Sequence, residues 1–352
     1  MIKCVVWDLD NTLLDGIYLE SPDQPPAASP GLAGILTELA GRGILHAIAS
    51  RNPPEAGQYA ERATGHAFAA IQCGWGTKSA AIRAIMSELG VAADAIAFVD
   101  DDAMERAEVS FSLPDVLVLA PRDMADAVGW PQFSPPAVTD EARRRGDLYL
   151  QRRSRQEEAR AFGGSREEFL RYCQTRVSIG LATLADLPRL HELSVRTHQF
   201  NSAGRVLSEA EFAWLFGSPR RQVVTVRLSD RFGDDGIVGG CVLVAGSGPA
   251  PRPGYGTWNV PLLMMSCRAL GRGVIDALLT WICQTARAGG AAQVAMTCLV
   301  SPRNVPLRIA LTGAGFRAGT DTGTAGVPRF AVYVRRLGEP LPDLPDWVTV
   351  AR

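Results

Sequence analysis

Four short apolar runs, separated by helical stretches, constrain the N-terminal part of this chain more than any other feature. They are IKCVVW (2–7), ILHAIAS (44–50), AIAFVD (95–100) and DVLVLA (115–120). Runs this short and this apolar suit strands buried on both faces, and the helices predicted between them, over 30–43, 53–62 and 78–89, are of the right length for crossovers. The predicted fold is therefore α/β, with a parallel, Rossmann-like sheet covered on both sides. The first helix is expected to open with Ser29 as N-cap and Pro30 at its first position, and to close at Gly43.

A chain of 352 residues exceeds one ordinary core, so two domains are expected. The first should end near residue 132, at WPQFSPPAV. Residues 133–175 are charged and periodic and read as a helical linker broken at Gly163-Gly164. A second α/β domain is expected over 176–337, followed by a C-terminal tail at 338–352. Its strand candidates are SIGLATL, QVVTVRLSD, GIVGGCVLVAG, GTWNVPLLMMSC and AQVAMTCLV, with helices DLPRLHELSVRT, capped by Asp186, and VIDALLTWICQTARA. RFGDDG is expected to be a hairpin loop with an Asp-Gly turn.

Composition bounds the partners. The net charge of −1 offers nothing to attract nucleic acid or an anionic membrane, and 47% hydrophobic with 21% charged residues is ordinary for a globular protein. The N-terminal apolar run ends at once in acids, and no run approaches the roughly 18 residues of a membrane span. A cytoplasmic location is expected. The seven cysteines are scattered, without CxxC spacing, and should be reduced.

Chemistry concentrates first at WDLDNT. Asp8 and Asp10 stand at the mouth of the first strand, where a carboxylate pair can hold Mg²⁺ and attack phosphorus. Ser50 ends the second apolar strand and offers a hydroxyl to a phosphoryl oxygen. Lys78 opens a helix and can neutralise developing charge. Asp100 and Asp101 end the third run and add metal ligands, with Asp102 beside them. Together DLDNT, Ser50, Lys78 and the terminal acids resemble the four motifs of the haloacid dehalogenase superfamily, with the right spacing across residues 1–120. The resemblance implies that Asp8 is a nucleophile forming an aspartyl-phosphate. It implies that Asp10 is a general acid/base binding metal through its carbonyl, and that Ser50 and Lys78 hold phosphate while Asp100 or Asp101 holds Mg²⁺. Little chain lies between Leu14 and Ser29, so any cap is small.

A second constellation is SCRALGRG, between a predicted strand and helix. Arg268, Gly271, Arg272 and Gly273 resemble the pyrophosphate loop of GNAT acetyltransferases, where backbone N–H groups at a helix N-terminus meet the cofactor. NVPLRIALTGAGF (304–316) resembles the end of that fold, although Leu311 stands where the usual tyrosine acid would fall. Cys267 is a candidate thiol: it lies at a strand end, beside Arg268 and a helix N-terminus, both of which lower a thiol pKa. A packed small hydrophobe is the alternative. Cys4, Cys241, Cys283 and Cys298 read as packing.

The order of phosphatase, helical linker and acyltransferase resembles the FkbH-like proteins of polyketide pathways. KCVVWDLDNTL, FVDDDAMERAEV, THQFN (197–201), DRFGDDGIVG and LMMSCRALGRGV carry that resemblance. It implies a bifunctional glyceryltransferase/phosphatase that loads a glyceryl group from 1,3-bisphosphoglycerate onto an acyl carrier protein, with Mg²⁺ and the carrier's phosphopantetheine as cofactors. It also points to His198 and Asn201, with Arg231 or Asp234, as substrate contacts; His198 could serve as a base for a thiol or be a plain loop histidine. The family usually reads TLWGG after the nucleophile motif, where this chain has Thr12-Leu13-Leu14-Asp15-Gly16, and usually has Asn where His198 stands. An enzyme thioester on Cys267 would preserve the activation of an acyl phosphate, and the pantetheine arm is expected along the strand before it. The alternative is a phosphatase whose second domain only binds a carrier protein.

Overall fold

A computed structural model describes residues 1–20, 26–135, 138–197, 199–218, 220–246, 256–319 and 329–351, apart from the side chain of Glu141. The chain is α/β throughout and divides into two compact units, Met1–Glu157 and Glu158–Arg352, so residues 133–175 are shared between them.

In the first unit, five strands, β1 (Cys4–Trp7), β2 (Leu45–Ser50), β3 (Ala70–Cys73), β4 (Ile96–Val99) and β5 (Leu117–Leu119), form a wholly parallel sheet in the order β3-β2-β1-β4-β5. Helices α1 (Leu32–Gly41), α2 (Pro54–Thr64), α3 (Lys78–Leu89) and α4 (Ala103–Ser112) connect them, and short α5 (Met124–Ala127) and α6 (Asp140–Arg143) precede α7 (Arg145–Ala161). Central strand β1 is buried on both faces: Val5 and Trp7 pack into one apolar cluster, Cys4 and Val6 into the other. Each fully buried valine there contributes about 1.5–3 kcal/mol. That is why the run reads as uninterrupted apolar sequence rather than as an alternation.

Two local expectations need correction. Strand β3 is not signalled by the sequence, because FAAIQC is alanine-rich and only its first strand residue, Ala70, is fully buried at the sheet edge. The first helix starts at Leu32 rather than at Pro30, because the Ser29 hydroxyl is spent on the Thr12 carbonyl (2.8 Å) instead of capping.

His46, in β2, gives the unit a pH dependence. Its Nδ1 accepts from Trp7 Nε1 and its Nε2 lies 3.0 Å from the Leu36 carbonyl, so the buried ring is neutral with its proton on Nε2. Burial and neighbouring His66 push its pKa down to about 3. The unfolded chain, with a histidine near 6.5, takes up a proton that the native state refuses. Stability is therefore complete above about pH 6.5 and falls as the pH drops toward 3, by about 1 kcal/mol per pH unit between 6 and 5. His46→Gln should flatten this slope, leaving the smaller part due to His66. Equal slopes of unfolding free energy against pH in the two proteins would contradict the assignment.

The second unit holds α8 (Arg166–Cys173), α9 (Leu187–Arg196), α10 (Glu209–Phe216), α11 (Val274–Ala288) and α12 (Val305–Gly313). Its strands are β6 (Thr175–Leu181), β7 (Arg221–Asp230), β8 (Gly233–Val244), β9 (Thr257–Met265), β10 (Gln293–Leu299), β11 (Arg317–Ala318), β12 (Phe330–Arg336) and β13 (Val348–Ala351). They form a mixed sheet in the order β11-β12-β10-β9-β8-β7-β6-β13. One face packs on the apolar side of α11 and α12, the other on α9 and α10. The hairpin turn falls at Arg231-Phe232, with Asp230 paired to Gly233; the Asp235-Gly236 step expected there lies inside β8, beside a register shift. Asp186 starts α9 but does not cap it, since its carboxylate accepts from Thr183 and Arg227 instead.

Strands β9 and β10 pair in parallel only from Thr257/Gln293 to Val260/Met296 and then diverge. The segment Phe200–Ser202 enters the gap. Phe200 O accepts from Met265 N (2.9 Å), Ser202 N donates to Leu263 O (2.9 Å), and Ser202 O accepts from Leu299 N (2.8 Å). The gap thus behaves as a short stretch of continuous sheet, its backbone groups satisfied by the chain itself.

Candidate active site

In an open parallel sheet the ends of the strands near the reversal of strand order form a crevice, because the following loops turn to opposite sides. Here that place lies between β1 and β4, and Asp8 N donates to Val99 O across it (2.9 Å). Asp8 leaves β1, Asp100 and Asp101 leave β4, Ser50 ends β2 and Lys78 opens α3, so the topology delivers all five to one edge.

Lys78 is the centre of the arrangement. Its side chain is 4% exposed, and its ammonium donates to Asp8 Oδ1 and to the Ala49 carbonyl (3.0 Å) and stands 3.1 Å from Asp100 Oδ2. Burial opposes charge on this group, but Asp8 and Asp100 outweigh it and hold the ammonium above its ordinary range. Burial, opposed by Lys78 and reinforced by the Asp100 charge, pushes the Asp8 carboxyl up to about 7. One ammonium does not neutralise this many acids.

The carboxylates of Asp8, Asp100 and Asp101 each bring an oxygen within 4.8 Å of the others, a cluster able to hold a metal ion. Asp100 Oδ2 is buried and accepts no hydrogen bond of good geometry. A hard divalent cation with oxygen ligands, such as Mg²⁺, fits this donor set and would cancel the excess charge. Of the three consecutive acids, Asp102 is excluded from the cluster because its carboxylate caps α4 at Met104 N (2.7 Å). The Asp10 carboxylate is not part of the cluster, in keeping with a role as acid/base whose metal contact would be its backbone carbonyl. Its two oxygens accept from Tyr18 N and from Asn52 Nδ2, both at 2.8 Å.

Asn52 is a residue that sequence reasoning missed. It is buried, and its Nδ2 reaches both Asp10 and Ser50 Oγ (3.0 Å), tying the acid to the hydroxyl. Thr12 also belongs to the site, accepting from Asp101 N (3.2 Å). The only signal was proximity in sequence to Ser50 and Asp10. As built, the site can present Asp8 to a phosphorus atom, hold phosphoryl oxygens on Ser50 and Lys78, and keep Asp10 oriented beside it.

In the second unit, Cys267 follows β9 in a one-turn 3-10 helix, Cys267–Ala269, capped by Ser266. It is half-buried, as is Cys73; the other five cysteines are buried. Burial pushes Cys241 up to about 12 and Cys73, Cys283 and Cys298 up to about 11, and Cys4 is raised as well. Arg268 and Arg272 do not extend toward solvent. Arg272 is clamped by Asp235 (2.6 Å) and Asp230 (2.7 Å), and Arg268 lies 3.8 Å from Asp235. The two arginine side chains are thus engaged with acids of the β7–β8 hairpin. Gly271 and Gly273 both need their glycine, with φ of +72° and +80°. A Cβ on Gly273 would come within 2.7 Å of Val348, and one on Gly271 within 3.1 Å of Arg166 Nη2.

Other expectations for this unit shift. Asn201 is 2% exposed and its amide is used within its own loop, by Arg205 O (3.2 Å) and Gly204 N (3.0 Å), so it is a loop former rather than a substrate contact. Arg231 stacks on Tyr172 and Asp234 accepts from Gly236 N, both shaping the hairpin. Leu311 is fully buried. His198 lies outside the described residues. The backbone route along β9 before Cys267, expected for a pantetheine arm, is already taken by Phe200–Ser202.

No family model matches the chain, and no curated protein matches it. Among solved structures it is similar to an N-acetyltransferase from Staphylococcus aureus Mu50, at 17% identity over 46% of this chain and 98% of that one, with a TM-score of 0.35. It is also similar to a GNAT superfamily phosphinothricin acetyltransferase from Sinorhizobium meliloti in complex with acetyl-CoA, at 20% identity over 46% of this chain and 88% of that one (TM-score 0.34). A third is the N-terminal part of a Bacteroides fragilis protein containing a phosphatase domain complexed with Mg, at 24% identity over 36% of this chain and 39% of that one (TM-score 0.31). None of the described helices is long and apolar enough to cross a membrane.

Proposed function

We propose that the first unit is a phosphatase acting through Asp8, and that the whole chain loads a glyceryl or related acyl group from an acyl phosphate onto an acyl carrier protein. The observation that carries the phosphatase half is the buried Lys78 ammonium between Asp8 and Asp100, with Asp101 completing a cation site. Asp8 attacks the phosphorus of a monoester, the P–O bond to the leaving alcohol breaks, and Asp10 gives that oxygen its proton. Water then attacks the phosphorus of the aspartyl-phosphate and gives a proton to the Asp10 carboxylate, the P–O bond to Asp8 breaks, and inorganic phosphate leaves, restoring both acids. Ser50 and Lys78 hold the phosphoryl oxygens as charge develops. Asp8, Asp100 and Asp101 would hold Mg²⁺, which would supply the positive charge that lets the Asp8 carboxylate approach an anionic phosphoryl group.

In the acyl half, the Cys267 thiolate attacks the acyl carbon, the C–O bond to phosphate breaks, and inorganic phosphate leaves with the electron pair. The carrier's pantetheine thiolate then takes the acyl group and Cys267 regains its thiolate. Cys267 is favoured because it is half-buried at the end of β9, whereas Cys4, Cys173, Cys241, Cys283 and Cys298 are buried and burial raises the half-buried Cys73. Intact-mass measurement after incubation with an acyl phosphate tests this. One acyl group per chain is expected, removable by hydroxylamine or by carrier protein. Cys267→Ala should show none while still releasing phosphate from a simple monoester; an adduct mapped to another cysteine would overturn the assignment.

A second reading, a phosphatase whose second unit only binds a carrier protein, is favoured by the self-satisfied backbone at β9 and by the buried Leu311. Phosphate release with no adduct from any acyl phosphate would select it.

A further inference from the structure

Asp100 and Asp101 are adjacent in sequence, and in a continuing strand their side chains would point to opposite faces. Both nevertheless bring a carboxylate oxygen to Asp8. The backbone must therefore turn where β4 ends, at Val99, and be held in that turn. Several hydrogen bonds hold it. Asp100 N donates to Leu119 O (3.3 Å) and Asp101 N to Thr12 Oγ1 (3.2 Å). Asp102 N donates to Asp100 Oδ1 (2.8 Å), leaving Oδ2 toward Lys78. The Asp100 and Asp101 carbonyls precede Asp102, the N-cap of α4, so no N–H of the helix ladder reaches them. One side chain takes both: Arg106 Nη1 donates to Asp100 O and to Asp101 O, each at 2.7 Å. The helix that carries Arg106 is itself tied to the site. Glu108 accepts from Ser79 N (3.1 Å) and from the Ser79 hydroxyl, next to Lys78, and Glu105 pairs with Arg51 (3.0 Å), next to Ser50.

We infer that Arg106 is a positioning residue for the cation site: by holding two successive carbonyls on one nitrogen, it keeps the Asp100 and Asp101 carboxylates turned to the same side as Asp8. The inference rests on the reading of Asp8, Asp100 and Asp101 as ligands of a divalent cation. Arg106 acts through the backbone of two of those ligands. Its charge works in the other direction, because a guanidinium this close to the acids repels an incoming cation. Position and charge therefore predict opposite signs for the loss of Arg106. If it orders the ligands, its removal weakens the cation site. If it matters only as a charge, its removal strengthens the site.

The test is calorimetric titration of the full chain with Mg²⁺, which reads the Kd without any substrate. In Arg106→Met the Kd should rise by on the order of tenfold or more, as it does when the partners of metal ligands are lost. Arg106→Lys keeps the charge but replaces the planar fork by a shorter point charge, and its Kd should rise by about threefold or more. Arg106 is half-buried and belongs to neither apolar cluster of its unit, so both variants should fold. The gain in melting temperature on adding Mg²⁺ should shrink in both. A residue that only stabilised the fold would lower the melting temperature equally with and without Mg²⁺, and that result overturns the inference. So does an unchanged or lower Kd in either variant; the cation site itself then still stands. A wild-type chain that binds no Mg²⁺ removes both.

Discussion

Asp8→Asn should lower Mg²⁺-dependent phosphate release by on the order of a thousandfold or more, without lowering the melting temperature. The amide fills the space of the carboxylate but cannot carry a phosphoryl group through a labile acyl phosphate. The second half of the expectation follows from the electrostatics. Asp8 is 7% exposed and shares one ammonium with buried Asp100. Removing one of two neighbouring buried negative charges relieves their repulsion, and Lys78 keeps Asp100 as its partner. In excess chelator the variant should therefore melt at or above the wild-type temperature. Release at the wild-type rate would remove Asp8 from the chemistry, and a large loss of stability would mean that the amide had disrupted the site.

Lys78→Met should have the opposite effect on stability. It leaves Asp8 and Asp100 buried with no cation between them, a change that typically costs about 3–5 kcal/mol. The deficit should be greatest in chelator at neutral pH. It should shrink as the pH falls, because protonation discharges the carboxyls, and shrink when Mg²⁺ is added, because the cation replaces the ammonium. Phosphate release should fall by on the order of a hundredfold or more even with Mg²⁺, since one charge facing the phosphoryl oxygens is gone. Urea unfolding with and without Mg²⁺ measures the first part and steady-state rates the second. A variant as stable as wild type in chelator would show that Lys78 does not balance the acids.

The first unit was legible because its chemistry sits where local sequence changes character. Asp8, Ser50 and Asp100 each follow or end an apolar run, and Lys78 begins a helix capped by Thr77. Parallel α/β topology then brings strand ends together without further information. What could not be read depended on contacts distant in sequence. Asn52 is notable only because Asp10, 42 residues earlier, points at it. That Asp100 and Asp101 join Asp8 while Asp102 instead caps α4 depends on how the chain turns after β4, which the run of three acids does not encode. In the second unit the missing knowledge was greater. The phosphate-type loop was visible as a motif, but the burial of Arg268 and Arg272 against Asp230 and Asp235 was not, since those acids lie on a hairpin about 40 residues away. The insertion of Phe200–Ser202 between β9 and β10 is a long-range pairing that no local periodicity encodes. The hairpin shows the same limit on a smaller scale. An Asp-Gly step suits a tight turn, yet strand pairing at Asp230 and Gly233 set the turn earlier and left Asp235-Gly236 within β8.

The central claim is that Asp8 becomes covalently phosphorylated during turnover. It is tested most directly by acid-quenching the protein within the first turnover of a phosphate monoester with Mg²⁺, then mapping the phosphoryl group by mass spectrometry. The account predicts a hydroxylamine-labile phosphoryl group on the peptide containing Asp8, missing in Asp8→Asn. Phosphate release with no phosphorylated intermediate at any quench time, or a phosphoryl group on a residue other than Asp8, would contradict it.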